Sequence, residues 1–218
     1  MQEIKARLPS NFLKFWNEKK FIDFYLKTQN EEIPCHRLIL CMKSKFFFRE
    51  FSSARINSTT YTVPFNPNGY FINVITFLYS GELVVTIQNI AQYTAIGEYY
   101  EIDCLLQLVD KYFDELFTKD NAYELINNFC SNKIQRYHEK MTNILSKNFD
   151  DFKIGSIIKV ADSKLLSCLL KELDNYTMDE KVKINDEFTR IHGRYLTDID
   201  KENLTSIYDF SSNSDSYR

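Results

Sequence analysis

Glycine and proline are scarce, five and four in 218 residues, which argues against a disordered chain or a sheet-and-turn protein. Cysteine is sparse too. Cys35, Cys41, Cys104, Cys130 and Cys168 are odd in number and form no C-x-x-C pair. They read as reduced, packed thiols of the cytosol or nucleus, not as a disulfide framework. Cys35 and Cys41 flank one turn–helix unit, where a buried structural role outweighs a redox one. No window approaches the roughly 20 apolar residues of a membrane span. The opening Met1-Gln-Glu-Ile-Lys-Ala-Arg lacks the apolar core of a secretory signal. A formal net charge of −3 makes no electrostatic case for nucleic acid or an anionic membrane as partner. His36, His138 and His192 are scattered without metal-ligand spacing, and there is no G-x-G-x-x-G, P-loop or G-x-S-x-G. The expectation is therefore no catalytic residue, no metal, no cofactor and no enzyme. His36 reads as a packed histidine hydrogen-bonded to backbone. No segment of 20–50 residues repeats.

What is present is apolar and aromatic: 44% hydrophobic residues and 15% aromatic, enough for a sizeable core in one or two domains. Phe21, Asp23, Tyr25 and Lys27 alternate with Ile22, Phe24 and Leu26, a strand pattern. Gln29-Asn30-Glu31-Glu32 breaks the run as a hairpin loop, and Ile33-Pro34-Cys35 continues it. Before the hairpin, residues 10–19 read as a short amphipathic helix with Ser10 as N-cap and Phe12, Leu13 and Trp16 on one face. After it come helices over 37–42 and 44–51, a polar loop, and a β-branched strand at Thr60–Val63. Asn66-Pro67 signals a helix start, and Gly81 ends that helix in the left-handed manner. Glu82–Val85 reads as an edge strand. Thr86 caps a helix over 87–100, and Asp103 caps another over 104–117, whose stripe Leu105, Leu108, Val109, Tyr112, Phe113 and Leu116 is core. From Lys119 onward the pattern is helical: Ala122–Cys130, Ile134–Asn148, Ile154–Val160, Ser163–Asn175 and Met178–Leu196.

The order F-x-D, strand, turn, strand, His36-Arg37-x-x-Leu40, Ser44-x-Phe46-Phe47, then Phe77-Leu78-Tyr79-Ser80-Gly81 and the hinge Tyr99-Tyr100-Glu101-Ile102-Asp103 resembles the BTB/POZ domain. The tail, with Phe149-Asp150-Asp151-Phe152 followed by Leu165-Leu166 and Leu169-Leu170, is similar to the BACK region that follows BTB in adaptor proteins. The resemblance implies an α+β BTB/POZ fold, a small mixed sheet with a helical cluster, over residues 10–117. An all-α BACK-like domain follows over 119–210. Residues 1–9 are expected to be a tail in which the exchanged strand of longer relatives is weak or absent, and 211–218 a disordered tail. The propeller of BTB-BACK-Kelch proteins finds no counterpart.

The family also implies a function, that of a dimeric adaptor recruiting a substrate protein to a cullin-3 RING ubiquitin ligase in the cytoplasm or the nucleus. Its partners would be itself or another BTB protein, cullin-3 and an unidentified substrate. The alternative is a homo-oligomerising scaffold or regulator that never binds cullin. The dimer surface is expected at Phe12, Leu13, Trp16, Asp23 and Arg37. Asp23 and Arg37 read either as an intrachain salt bridge or as a polar pair at that surface, and loss of Asp23 would leave a buried Arg37 unpaired at about 3–5 kcal/mol. The cullin-facing set is expected at Phe51, Arg55, Ile56, Asn57, Tyr100 and Glu101. The family's apolar-x-Glu triplet reads Arg55-Ile56-Asn57 here, while Tyr99 and Tyr100 either anchor a partner or fill the gap between two helices.

Overall fold

The structure is a computed structural model that describes residues 4–7, 12–53 and 55–206. It divides into two compact units, Met1–Phe117 and Thr118–Arg218. Ser10 and the tail 211–218 lie outside the described residues.

The first unit is built on a three-stranded sheet of order β3-β2-β4. Strands β2 (Phe24–Lys27) and β3 (Glu32–Cys35) pair antiparallel, with Phe24 opposite Cys35 and Leu26 opposite Ile33. Strand β4 (Thr60–Thr62) joins β2 in parallel. Period-two alternation puts Phe24, Leu26, Ile33 and Cys35 inside and turns the polar side chains out.

The helices of this unit include α2 (Arg37–Lys43), α3 (Lys45–Ser52), α4 (Phe71–Ser80), α5 (Ile90–Tyr99) and α6 (Asp103–Leu116). Helix α4 buries Phe71, Val74, Ile75, Phe77, Leu78 and Tyr79, too many for one face, so it runs through the centre of the unit. Gly81 closes it at φ +73°, a conformation that costs glycine nothing and most residues about 1 kcal/mol or more. Asn66 caps it from five residues upstream, its Oδ1 accepting from Phe71 N at 3.0 Å, with a single 3-10 turn, Pro67–Gly69, between them. Helices α5 and α6 approach closely at Gly97, where a Cβ would fall 2.8 Å from Leu106 Cδ2.

Several boundaries differ from the sequence pattern. Helix α1 spans only Leu13–Asn17, with Phe12 as its N-cap. Residues 4–7, expected to be tail, form strand β1 (Ile4–Arg7), paired antiparallel with β5 (Glu82–Val85), Ile4 opposite Val85 and Arg7 opposite Glu82. That segment is too short and charged to declare itself; an available edge supplies the hydrogen bonds that define it. Helix α5 starts later than Thr86, because Asn89 Oδ1 accepts the Thr86 amide at 2.8 Å and Asn89 Nδ2 donates to Val84 O at 3.0 Å, forming a turn of their own. Asp103 is the first residue of α6 and not its cap; its carboxylate pairs with Lys45 Nζ at 2.5 Å.

The second unit is helical throughout: α7 (Ala122–Ser131), α8 (His138–Lys147), α9 (Ile154–Ile157), α10 (Ser163–Glu172), α11 (Met178–His192) and α12 (Asp198–Thr205). Leu125, Ile126, Phe129, Met141, Leu145, Leu165, Leu166, Leu169, Leu170 and Phe188 form its core. Side-chain caps set three starts: Asp162 for α10, and capping boxes Thr177/Glu180 for α11 and Thr197/Asp200 for α12. Helix α8 begins four residues later than the apolar spacing predicts. Lys133 sits at φ +57° and Ile134 N turns back to Phe129 O at 3.0 Å, so Ile134 closes the turn after α7. No helix among the described residues is long and apolar enough to cross a membrane.

Candidate functional site

The surface around α1 and α2 is organised by one hydroxyl. Tyr79 OH accepts from the His36 amide at 2.8 Å and lies 3.0 Å from His36 Nδ1. His36 Nε2 lies 2.8 Å from Lys20 O. A carbonyl only accepts, so Nε2 carries the proton and Tyr79 donates to Nδ1. His36 thus ties the end of the α1 segment to the start of α2. Burial pushes the Tyr79 phenol well above its usual range. It does the same to the Cys35 thiol beside it, which removes Cys35 as a reactive thiolate.

Trp16 is half-buried against its own unit. Its indole stacks on Tyr79 at 4.9 Å between centroids, and Nε1 donates to Pro34 O at 2.6 Å. Trp16, expected at the dimer surface, is thus held by its own unit, and Leu13 beside it is half-buried. The apolar groups that do face solvent are Phe12, Phe15 and Phe21 from the α1 segment, with Leu38 and Met42 one turn apart on α2. Phe15 and Phe21 touch, centroids 6.0 Å apart. Phe21 is 80% exposed and sits at φ +61°, where a bulky side chain is a genuine outlier. The sequence puts Phe21 in the first strand of the hairpin and Leu38 and Met42 in a helix over 37–42; only exposure singles them out.

Asp23 and Arg37 meet, but not as a salt bridge. Asp23 Oδ1 accepts the Arg37 backbone amide at 2.8 Å, satisfying one of the free N–H groups at the start of α2. The Arg37 guanidinium turns away to Ser58 O at 2.5 Å and lies over the rings of Phe24 and Phe51, 5.0 and 4.9 Å from their centroids. Asp23 is exposed and Arg37 half-buried. The expectation of a buried charge stranded by loss of Asp23 is therefore corrected.

The second expected surface divides into exposed and buried residues. Arg55 and Asn57 are exposed, and Arg55 pairs with Glu50 at 3.0 Å. Ile56 is buried and Phe51 half-buried. Phe51 stacks on Phe47 at 5.9 Å and meets Phe24 edge-on at 5.0 Å. Tyr100 is 0% exposed. It stacks on Phe47 at 5.7 Å, and its hydroxyl donates to Phe65 O at 3.0 Å. The hinge tyrosine expected to touch a partner is thus a core residue, and Tyr99, 43% exposed and stacked on Phe65 at 4.8 Å, holds the outward position. Glu101, at φ +49°, pairs with Arg49 at 2.8 Å. Hydrogen bonding to Glu101 raises the Arg49 pKa further still.

A family model described as the BTB/POZ domain matches residues 12–117. Among curated proteins the chain is similar to Kelch-like protein 41a of Danio rerio, 25% identical over 110 residues, covering 48% of this chain and 18% of that protein. It is similar also to Kelch repeat and BTB domain-containing protein 1 of cowpox virus, 25% identical over 164 residues, covering 70% of this chain and 29% of that one. The chain spans less than a third of the length of these relatives. Among solved structures it is similar to the BTB domain of zebrafish PATZ1, 16% identical with a TM-score of 0.44, covering 48% of this chain and 86% of that one. With the matched segment, the mixed sheet and the surrounding helices in agreement, residues 12–117 of this chain belong to the BTB/POZ family of protein-interaction domains.

Proposed function

We propose that this protein self-associates through the α1–α2 face and acts as an adaptor that brings a substrate protein to a cullin-3 RING ubiquitin ligase. The observation that carries the first part is the set of solvent-facing apolar side chains on that face, Phe12, Phe15, Phe21, Leu38 and Met42. Such surface is typical of a binding site. The BTB family and the helical unit after it support the second part. The adaptor contributes no bond-making group. It raises the effective concentration of substrate at the ligase, and a dimer adds avidity.

A second reading, a self-associating scaffold that does not bind cullin, draws on the triplet Arg55-Ile56-Asn57 and the burial of Tyr100. Co-precipitation of cullin-3 with the purified chain separates the two. Tyr99→Ala and Glu101→Ala are the informative variants, since both side chains reach solvent. Tyr100→Ala would cost about 3–5 kcal/mol as a core truncation and would report on folding. Capture by the wild type, lost in Tyr99→Ala, supports the adaptor. A dimer that captures no cullin-3 leaves the scaffold.

A further inference from the structure

The helical unit holds a cluster that no sequence spacing announces. Cys130 in the last turn of α7, His138 at the start of α8 and Asp162 capping α10 bring a thiol sulfur, an imidazole nitrogen and a carboxylate oxygen within 4.8 Å of one another. Asp162 is already oriented, since its Oδ1 accepts the Leu165 amide at 2.8 Å. Its Oδ2 lies 3.3 Å from His138 Nε2. His138 is 3% exposed, yet neither ring nitrogen makes a hydrogen bond. One turn on, the Thr142 hydroxyl is buried in the same condition. A buried imidazole with no hydrogen bond at either ring nitrogen is rare and calls for an explanation.

The spacing fits a metal. Bonds of about 2.0–2.2 Å to nitrogen and oxygen place two ligands of a tetrahedral zinc about 3.4 Å apart. A sulfur at about 2.3 Å from the ion would sit about 3.6 Å from the other two, against separations of at most 4.8 Å among the three atoms here. Thiolate, imidazole and carboxylate together are a zinc-type donor set. We propose that Cys130, His138 and Asp162 bind a zinc ion, with water as the fourth ligand. Charge balances: a thiolate and a carboxylate cancel the dication, so the cluster becomes neutral where two bare anions would be costly. The thiol proton leaves to solvent on binding. His138 and Thr142 also line an open groove of about 1240 Å³. The three ligands come from three helical segments, so the ion would staple α7, α8 and α10 together.

The test is cobalt and zinc loading of the full chain after chelator treatment. The expected result is one equivalent of Co²⁺ bound at micromolar protein, with a thiolate-to-cobalt charge-transfer band, the d–d bands of a four-coordinate site, and a rise in melting temperature with Zn²⁺. Cys130→Ser should abolish the charge-transfer band. His138→Gln and Asp162→Asn should weaken binding at least about tenfold. Cys168→Ser should change nothing. If Cys130→Ser proves unfolded by circular dichroism, the His138 and Asp162 variants decide. Sub-stoichiometric cobalt without a thiolate band in the folded wild type overturns the proposal. So does a band that survives in folded Cys130→Ser, or undiminished binding in the other two ligand variants.

Discussion

Trp16 and Tyr79 stack with their ring planes 7° from parallel, and this contact decides what the terminal helix of the BTB domain can offer a partner. The indole is anchored to its own unit at both its face and its N–H. Trp16→Ala should therefore destabilise the monomer fold by about 2–3 kcal/mol, somewhat below a full core truncation because the ring is half-exposed. Tyr79→Phe keeps the stack but removes the hydroxyl bonded to the His36 amide and ring. Its expected cost is about 1–3 kcal/mol from the buried donor left unsatisfied. Urea denaturation of the two variants measures both, and an unchanged midpoint for Trp16→Ala would show that the indole is not anchored.

Asp23→Ala tests the cap at α2. The lost bond is one carboxylate to one backbone amide, so about 1 kcal/mol is expected, not the 3–5 kcal/mol of an orphaned buried charge. Asp23→Ser, which can still accept from the amide, should recover most of the loss. Thermal melts of both variants give the answer; a loss near 4 kcal/mol would mean that Arg37 depends on Asp23 after all.

Phe21 separates folding from association. At φ +61° a glycine is more comfortable than phenylalanine, so Phe21→Gly should leave stability unchanged or raise it by up to about 1 kcal/mol. The same change removes a ring from the proposed dimer face, and light scattering should show a weaker dimer. Phe15→Ser and Leu38→Ser should act in the same direction. Dimers of unchanged strength in all three variants would place self-association elsewhere.

Asp200 sets part of the acid stability of the helical unit. Its carboxylate is held below its usual range, first by the Ser163 hydroxyl and then by Thr197. A depressed folded-state pKa means stabilisation that is fully present above the unfolded value of 3.8 and is lost as pH falls through the folded value. Asp200→Asn should therefore lower stability at neutral pH and flatten the decline of stability below the unfolded pKa. Denaturation midpoints recorded across the acid range check this, and an Asp200→Asn profile parallel to that of the wild type would remove Asp200 from the linkage.

Much of the fold was legible in residue order because the signals are local. The alternation through Phe24 and Leu26, the stop at Gly81 and the stripe on α6 each depend on a few neighbouring residues, and each lies where the pattern puts it; α4 itself begins at Phe71, four residues beyond the Asn66-Pro67 start signal. Strand β1 was not legible, since four residues, two of them basic, become a strand only when the edge of β5 is there to pair with. Burial of Tyr100 in place of Tyr99 was not legible either. Adjacent residues of the same type are separated only by which ring the backbone turns toward Phe47.

The order of residues alone determined that the first half of this chain holds short strands among helices and that the second half is helical, because periodicity and capping are written within a turn or two of each residue. Tertiary structure alone decided which side chains are free. It drew Trp16 and Tyr100 inward, left Phe21, Leu38 and Tyr99 facing solvent, parted Asp23 from the guanidinium of Arg37, and gathered Cys130, His138 and Asp162. Exposure and proximity between distant residues are set by how elements pack, and packing is a property of the whole unit.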